Sequence, residues 1–277
     1  MIDLTIIDEI ILRSLKEDMP MGDITTDSTV PENEVIAARL IAKEDCVIAG
    51  TEIFARVFAL LDPNVYVERL VNDGDKVLKG TIIMHVSGNS RALLKAERTA
   101  LNLLQRMSGI ATTTRRIVDL LENTSTKIVD TRKTVPGLRY LDKMAVRIGG
   151  GTNHRFSLSD GVLIKDNHIK ASGGITQAVK RARAMIPHTI KIEVETESLD
   201  QVKEALEAGA EIIMLDNMTL EKMKEAVDYI EGRALTEASG NITDETVEAV
   251  AKTGVDLISI GALTHSVKAA DISLRFE

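Results

Sequence analysis

Tryptophan is absent from this 277-residue chain, phenylalanine occurs four times, tyrosine three times and cysteine once. The lone Cys46 cannot close an intrachain disulfide, and no CxxC or HExxH spacing occurs, so nothing supports a disulfide scaffold, a zinc site or a thiol nucleophile. So few rings remove the stacking platforms of single-strand nucleic-acid binders. With 42 Asp and Glu against 34 Lys and Arg, the net charge of -8 also argues against a phosphate backbone as partner. No apolar run approaches the roughly 18 to 20 residues needed to cross a bilayer. The opening MIDLTIIDEIILRSL carries acids where a secretory leader has a basic segment. A cytoplasmic protein with no membrane span is the expectation.

What is present suits a folded enzyme. Hydrophobic residues make up 44% of the chain, enough for a sizeable core and far from a disordered composition. The length fits one large α/β barrel or two modest domains. Charge is unevenly placed: from Asp130 to Lys170 there are eight Lys/Arg against four Asp/Glu, so this window is +4 and the rest of the chain -12. His154, His168 and the run Gly149-Gly150-Gly151 share the window. An anionic small molecule is the first functional suggestion, with a solvated charged surface as the alternative.

The first hundred residues read differently from the rest. Leu4, Ile7, Ile10, Ile11 and Leu15 have helical spacing, and β-type runs follow at 35–50 and 65–88, with Asn72-Asp73-Gly74-Asp75 reading as a hairpin turn. From Arg91 to Met107 the pattern is helical, with Arg98, Asn102 and Gln105 on the polar face. After Thr126 short β-branched runs alternate with helical segments, at 127–131, 161–166, 189–195, 211–217, 234–240 and 256–262. Six such strands imply a parallel sheet, and the regular 22- to 34-residue repeat suggests an irregular (β/α) barrel over 110 to about 265, with an open doubly wound sheet as the alternative.

Each of those strands ends in polar residues. In order these are Asp130 to Lys133, Lys165 to His168, Glu193 and Glu195, Asp216-Asn217, Glu237 with Ser239 and Gly240, and Gly261 with Thr264-His265. In a barrel these ends share one mouth, where active sites are built. Lys191, Glu193 and Glu195 have the parity opposite to Ile190, Ile192 and Val194, so they line the interior, either as a functional surface or as a mutual ion pair. Glu195 and Asp216 could hold a hard divalent ion such as Mg²⁺ bridged to phosphate oxygens. The segments Ser239-Gly240-Asn241, ahead of a helix predicted near Thr243, and Gly261 to Ser266 suit a phosphate. The Gly149 run lacks P-loop spacing and follows no strand. Arg132, Lys133, His154, Arg155 and Lys165 supply cations for a multiply anionic substrate.

The segments GDITT (22–26), ERTALNLLQRMSGIAT (97–112), DTRKTVPGLR (130–139), KMAVRIGGGTNHR (143–155), LIKDNHI (163–169), EVE (193–195), LDN (215–217), EASGNI (237–242) and IGALTHS (260–266) together resemble quinolinate phosphoribosyltransferase, the carboxylating nicotinate-nucleotide pyrophosphorylase family. The resemblance implies an N-terminal open-faced α/β sandwich domain over 1–109, followed by an incomplete, TIM-like six-stranded α/β barrel over 110–266, with the tail 267–277 packing back on the first domain. It implies transfer of phosphoribosyl from 5-phosphoribosyl-1-pyrophosphate to quinolinate with loss of CO₂, a step of NAD biosynthesis that uses Mg²⁺. It further implies that Arg132, His154, Arg155 and Lys165 bind quinolinate, with Arg98 donated by the partner chain of a homodimer. By the same likeness Lys133 contacts the phosphoribosyl donor, and Glu195 and Asp216 serve as catalytic groups that contact the ribose hydroxyls and the metal. Ser239, Gly240, Asn241, Gly261 and His265 form the 5-phosphate region; the family often has glycine where this chain has Asn241. The rival readings are a molybdenum-associated paralogue or a transferase for another aromatic acid, and, from a different class, a carrier domain suggested by LVNDGDKVLKGTIIMHV, which lacks an attachment lysine at the hairpin tip.

Overall fold

A computed structural model describes residues 3–277; the first two residues of the expected 1–109 domain lie outside the described part. Twelve strands are present among the described residues: β1 Val35–Ala42, β2 Cys46–Val47, β3 Tyr66–Arg69, β4 Lys76–Val77, β5 Ile82–Asn89, β6 Lys127–Val129, β7 Val162–Ile164, β8 Ile192–Thr196, β9 Ile212–Asp216, β10 Leu235–Ser239, β11 Leu257–Ser259 and β12 Ile272–Phe276. The chain divides into two compact units. The first runs to Arg115 and adds Thr134–Gly150 and Thr264–Glu277; the second comprises Arg116–Lys133 and Gly151–Leu263.

The first unit is built on an antiparallel sheet of order β12-β1-β5-β3. Alternation along β1 buries Ala38, Leu40 and Ala42 and exposes Val35, Ala37 and Arg39, so one face is covered and the other open. The C-terminal tail supplies β12, which pairs with β1 from Ala38 opposite Phe276 to Ala42 opposite Ile272. Helix Leu4–Asp18 buries the expected Ile7, Ile10, Ile11 and Leu15, and Asp3 caps it by accepting from the Thr5 amide. Helix Thr51–Leu61 buries Ile53, Phe54, Val57 and Phe58, with the two phenyl rings 5.1 Å apart. Each such side chain contributes about 1.5 to 3 kcal/mol. The helix predicted to end near Met107 runs on from Ser90 to Asp119, and its Gln105 amide donates to the Ile272 carbonyl at 2.7 Å, tying it to β12.

One local expectation is corrected in this unit. The Asn72–Asp75 turn does not join paired strands, because β3 pairs with β5 and β4 with β2. Its polar groups serve other partners: the Asp73 carboxylate accepts from the Gly50 and Thr51 amides, and the Gly74 amide donates to Ile48. The basic window is divided between the two units. Helix Arg139–Ile148 falls in the first unit and buries Lys143, and Gly149 packs so closely that a β-carbon there would stand 2.6 Å from the Ala111 carbonyl oxygen. The Gly149 run is therefore a packing element.

The second unit carries the six predicted strands, all parallel, in the order β6-β11-β10-β9-β8-β7. From β7 the chain adds one neighbour at a time through β11 and then meets β6, so the winding never reverses. A doubly wound sheet would turn back at a switch point, which excludes that alternative. β6 and β7 are the two edges, and Thr152 bridges to Val129 beside β6. The barrel is incomplete at that seam. Ser198 and Thr219 cap the helices that follow β8 and β9 by accepting from the Gln201 and Lys222 amides.

Candidate active site

Because the six strands run parallel, their C-terminal ends lie at one edge of the sheet. At β6 the wholly buried Asp130 accepts from the His154 amide at 2.9 Å and from the Asn153 side chain at 2.6 Å. These bonds to charge fix the segment 152–154 beside the strand end. Arg132 and Lys133 follow Asp130 directly, Lys133 exposed and Arg132 half-buried with its Nε fully covered. Arg155 donates to the Gly161 carbonyl at 3.0 Å. Burial and the neighbouring Arg132 guanidinium push Arg155 below the usual arginine range, while Glu193 and Asp160 oppose that shift.

Lys165, at the end of β7, donates to Glu195 of β8 at 2.7 Å. The lysine is about half exposed and the glutamate largely covered. The ion pair left open for strand three is thus made by Lys165, while Lys191 points out as an exposed residue. His168, which the sequence placed beside Lys165, accepts from the Lys165 amide and caps helix Asp166–Ser172.

Next to these cations lies a buried acidic pair. Glu193 and Glu237, 3% and 0% exposed, stand at β8 and β10. His154 Nε2 is 3.0 Å from a Glu193 oxygen and 3.5 Å from a Glu237 oxygen, and its Nδ1 accepts the Arg155 amide at 2.7 Å. Burial and the Glu193 charge raise the Glu237 carboxyl to about 7; His154, Ser259 and Lys165 offset this only in part.

At β9 the Asn217 side chain donates to Asp216 at 2.7 Å and accepts from Asn241 at 3.2 Å. Asn217 and Asn241 both have left-handed φ, 52° and 50°, and Gly240 between β10 and Asn241 has φ 98°. A β-carbon on Gly240 would collide with the Asn217 side chain. Only glycine fits that position. The helix expected near Thr243 begins instead at Val247, because Thr243 and Thr246 close a turn through their hydroxyls and amides. Phosphate donors here would therefore be the amides of 239–241 and not a helix end.

Within the second unit Arg132, Lys133, His154, Arg155, Lys165, Glu195, Asp216, Ser239, Gly240, Asn241 and Gly261 all stand at or just beyond strand ends at one edge of the sheet. Arg98 and His265 belong to the first unit: Arg98 is exposed on helix Ser90–Asp119, and His265 is exposed with Nδ1 2.8 Å from the Ser266 hydroxyl. The roles of Glu193, Glu237 and Asp130 were not read from the sequence, although the parity of Glu193 already placed it inside. Two hard carboxylates, each with one oxygen tied to a nitrogen and a second to offer, are a donor set suited to Mg²⁺.

Family models for the quinolinate phosphoribosyl transferase N-terminal and C-terminal domains match residues 23–108 and 110–275. A relative from Bacillus subtilis, a probable nicotinate-nucleotide pyrophosphorylase (carboxylating), is 48% identical over 258 residues, covering 93% of this chain and 89% of its own. A mitochondrial quinolinate phosphoribosyltransferase (decarboxylating) of Nicotiana glauca is 46% identical over 97% of this chain and 82% of its own. The solved nicotinate-nucleotide pyrophosphorylase of Francisella tularensis superposes with a TM-score of 0.95 at 41% identity, covering 100% of this chain and 98% of that one. The match runs along nearly the whole chain: it belongs to the quinolinate phosphoribosyltransferase family.

Proposed function

We propose that this chain transfers the phosphoribosyl group of 5-phosphoribosyl-1-pyrophosphate to the ring nitrogen of quinolinate, releasing pyrophosphate and then CO₂ to leave nicotinate mononucleotide, a step of NAD biosynthesis. The observation that carries this reading is the pairing of crowded guanidinium groups, Arg132 against Arg155, with the Lys165–Glu195 pair at neighbouring strand ends. A dicarboxylate relieves the repulsion between the arginines and gives Lys165 a second partner.

Arg132, Arg155 and Lys165 hold the two carboxylates of quinolinate and aim its nitrogen at the ribosyl carbon. Lys133 meets the pyrophosphate. Glu195 and Asp216 accept the ribose hydroxyls and stabilise the positive charge that develops on the ribose as pyrophosphate leaves. Glu195 and Asp216 would hold Mg²⁺, which would supply positive charge against the departing pyrophosphate. Ser239, Gly240, Asn241 and Gly261 receive the 5-phosphate. No covalent nucleophile is needed. After transfer, the cationic ring nitrogen stabilises the electron pair left at C2 as CO₂ departs, and a proton from solvent then joins C2 to give nicotinate mononucleotide. The working enzyme is a cytoplasmic homodimer in which Arg98 reaches the partner's site; the exposure of Arg98 and the single, buried Cys46 support this.

The test is product formation with Mg²⁺, following nicotinate mononucleotide by chromatography together with CO₂ release, with nicotinate as the competing acceptor. Turnover of quinolinate alone is expected; equal turnover of nicotinate, or donor binding without turnover, would move the acceptor to another acid. For the dimer, mixing Arg98→Ala with Lys165→Ala chains should restore part of the activity, and no restoration would place Arg98 in its own subunit's chemistry.

A further inference from the structure

Glu193 and Glu237 have no part in the reaction as described, yet burying two carboxyl groups together is costly. One buried oxygen of Glu193 and both buried oxygens of Glu237 lack a well-formed hydrogen bond, with the Ser259 hydroxyl and His154 Nε2 as the donors that approach Glu237. His154 Nε2 approaches one oxygen of each, so the three groups bring their ligand atoms within 4.8 Å of one another.

Such a set holds either a cation or a proton. The orientation of His154 discriminates. Its Nδ1 accepts the Arg155 amide, so the ring hydrogen sits on Nε2 and points at the carboxylates. A metal-bound histidine has the opposite arrangement, with Nε2 bare and the other nitrogen donating. A proton is the occupant the geometry favours.

The groups facing Glu237 come from the neighbouring elements: Glu193 on β8, His154 on the segment beside β6, Lys165 at the end of β7 and Ser259 on β11; β9 presents Met214 at the paired register. Of these Glu193 alone is acidic, and its charge together with burial favours the protonated form of Glu237 near neutrality. The same Glu193 charge acts on Arg155, one of the two guanidinium groups expected to hold the substrate. Two further carboxylates arriving at Arg155 strengthen the negative field at Glu237.

We propose that Glu237 is a positioning residue that takes up a proton when the dicarboxylate binds, so that the floor beneath His154 and Arg155 carries one negative charge and not two while the substrate dianion is in place. This rests on the quinolinate reading of the site. The step breaks and forms only O–H bonds: a proton leaves solvent, joins a Glu237 carboxylate oxygen, and returns when product departs. Binding and proton uptake are then linked, and affinity falls as pH rises through the range in which the free enzyme loses that proton.

Titration calorimetry of the full-length enzyme with quinolinate alone, which has nothing to react with before the donor is added, measures the uptake directly from the heats in two buffers of different ionisation enthalpy. Several tenths of a proton per site are expected at pH 7 to 8, with Kd weakening by up to about tenfold per pH unit above 7. In Glu237→Gln, uptake should fall to near zero and Kd become flat with pH. Binding to the wild type without uptake, or uptake unchanged in Glu237→Gln, overturns the inference while leaving the site reading intact; failure of quinolinate to bind overturns both. Should Glu237→Gln not fold, the infrared difference spectrum of the wild type decides: a protonated carboxyl band must grow on binding, and its absence is fatal. A tightly held transition metal in enzyme purified without added metal would also overturn it.

Discussion

Arg106 grips Asp142 with two parallel hydrogen bonds, both 2.8 Å, and the carboxylate receiving them is wholly buried. The same guanidinium donates to the Thr264 carbonyl at 3.0 Å, and Asp142 also accepts the Val135 amide at 3.3 Å. One ion pair thus fastens the chain two residues beyond Lys133 and the residue before His265.

Asp142→Ala should destabilise the protein by about 3 to 5 kcal/mol, because it strands a partly buried guanidinium and the Val135 amide. Denaturant unfolding checks this; a loss below about 1 kcal/mol would mean that water replaces the carboxylate without cost.

Arg132→Lys keeps the charge and loses the planar fork. A drop in kcat/KM for quinolinate of roughly ten- to a hundredfold is expected from about 1.5 to 3 kcal/mol of charge-assisted bonding. Steady-state kinetics near the wild-type value would remove Arg132 from the substrate.

Gly240→Ala adds a methyl group where φ is 98° and the Asn217 side chain already stands. The strain costs on the order of 1 to 3 kcal/mol. Relief requires Asn217 to move, which frees Asp216 from its hydrogen bond. Affinity for the phosphoribosyl donor, measured by calorimetry, should weaken by more than affinity for quinolinate; equal losses would point to general unfolding.

Glu237 also makes stability depend on pH. Its carboxyl is raised to about 7 in the folded chain from a reference of 4.5, so the native state binds the extra proton between these values. Stability from this group is therefore complete below about 4.5 and declines as pH rises through 7, by an amount on the order of 3 kcal/mol. Other groups cancel when wild type is compared with Glu237→Gln. The variant should gain relative to wild type from pH 5 to 8, and parallel unfolding curves across that range would contradict the raised value.

Much of this was legible along the chain. The parallel strands were placed within a few residues because β-branched runs bounded by polar residues are a local signal, and the side chains at their ends follow from where each run stops. The alternation in β8 put Glu193 and Glu195 on one face for the same reason. The Asn72–Asp75 turn misled because turn chemistry is local while pairing is not: β3 found β5, and Asp73 was drawn to the amides of Gly50 and Thr51.

By itself the sequence determined the number and direction of the six parallel strands, the polar residues at their ends and the family to which the chain belongs. Tertiary structure alone decided that the six strands follow barrel order with a seam between β6 and β7, that Lys165 pairs with Glu195, and that His154 faces Glu193 and Glu237. These contacts join residues 30 to more than 80 positions apart, and Coulomb and hydrogen-bond energies depend on distance in space, to which separation along the chain is no guide.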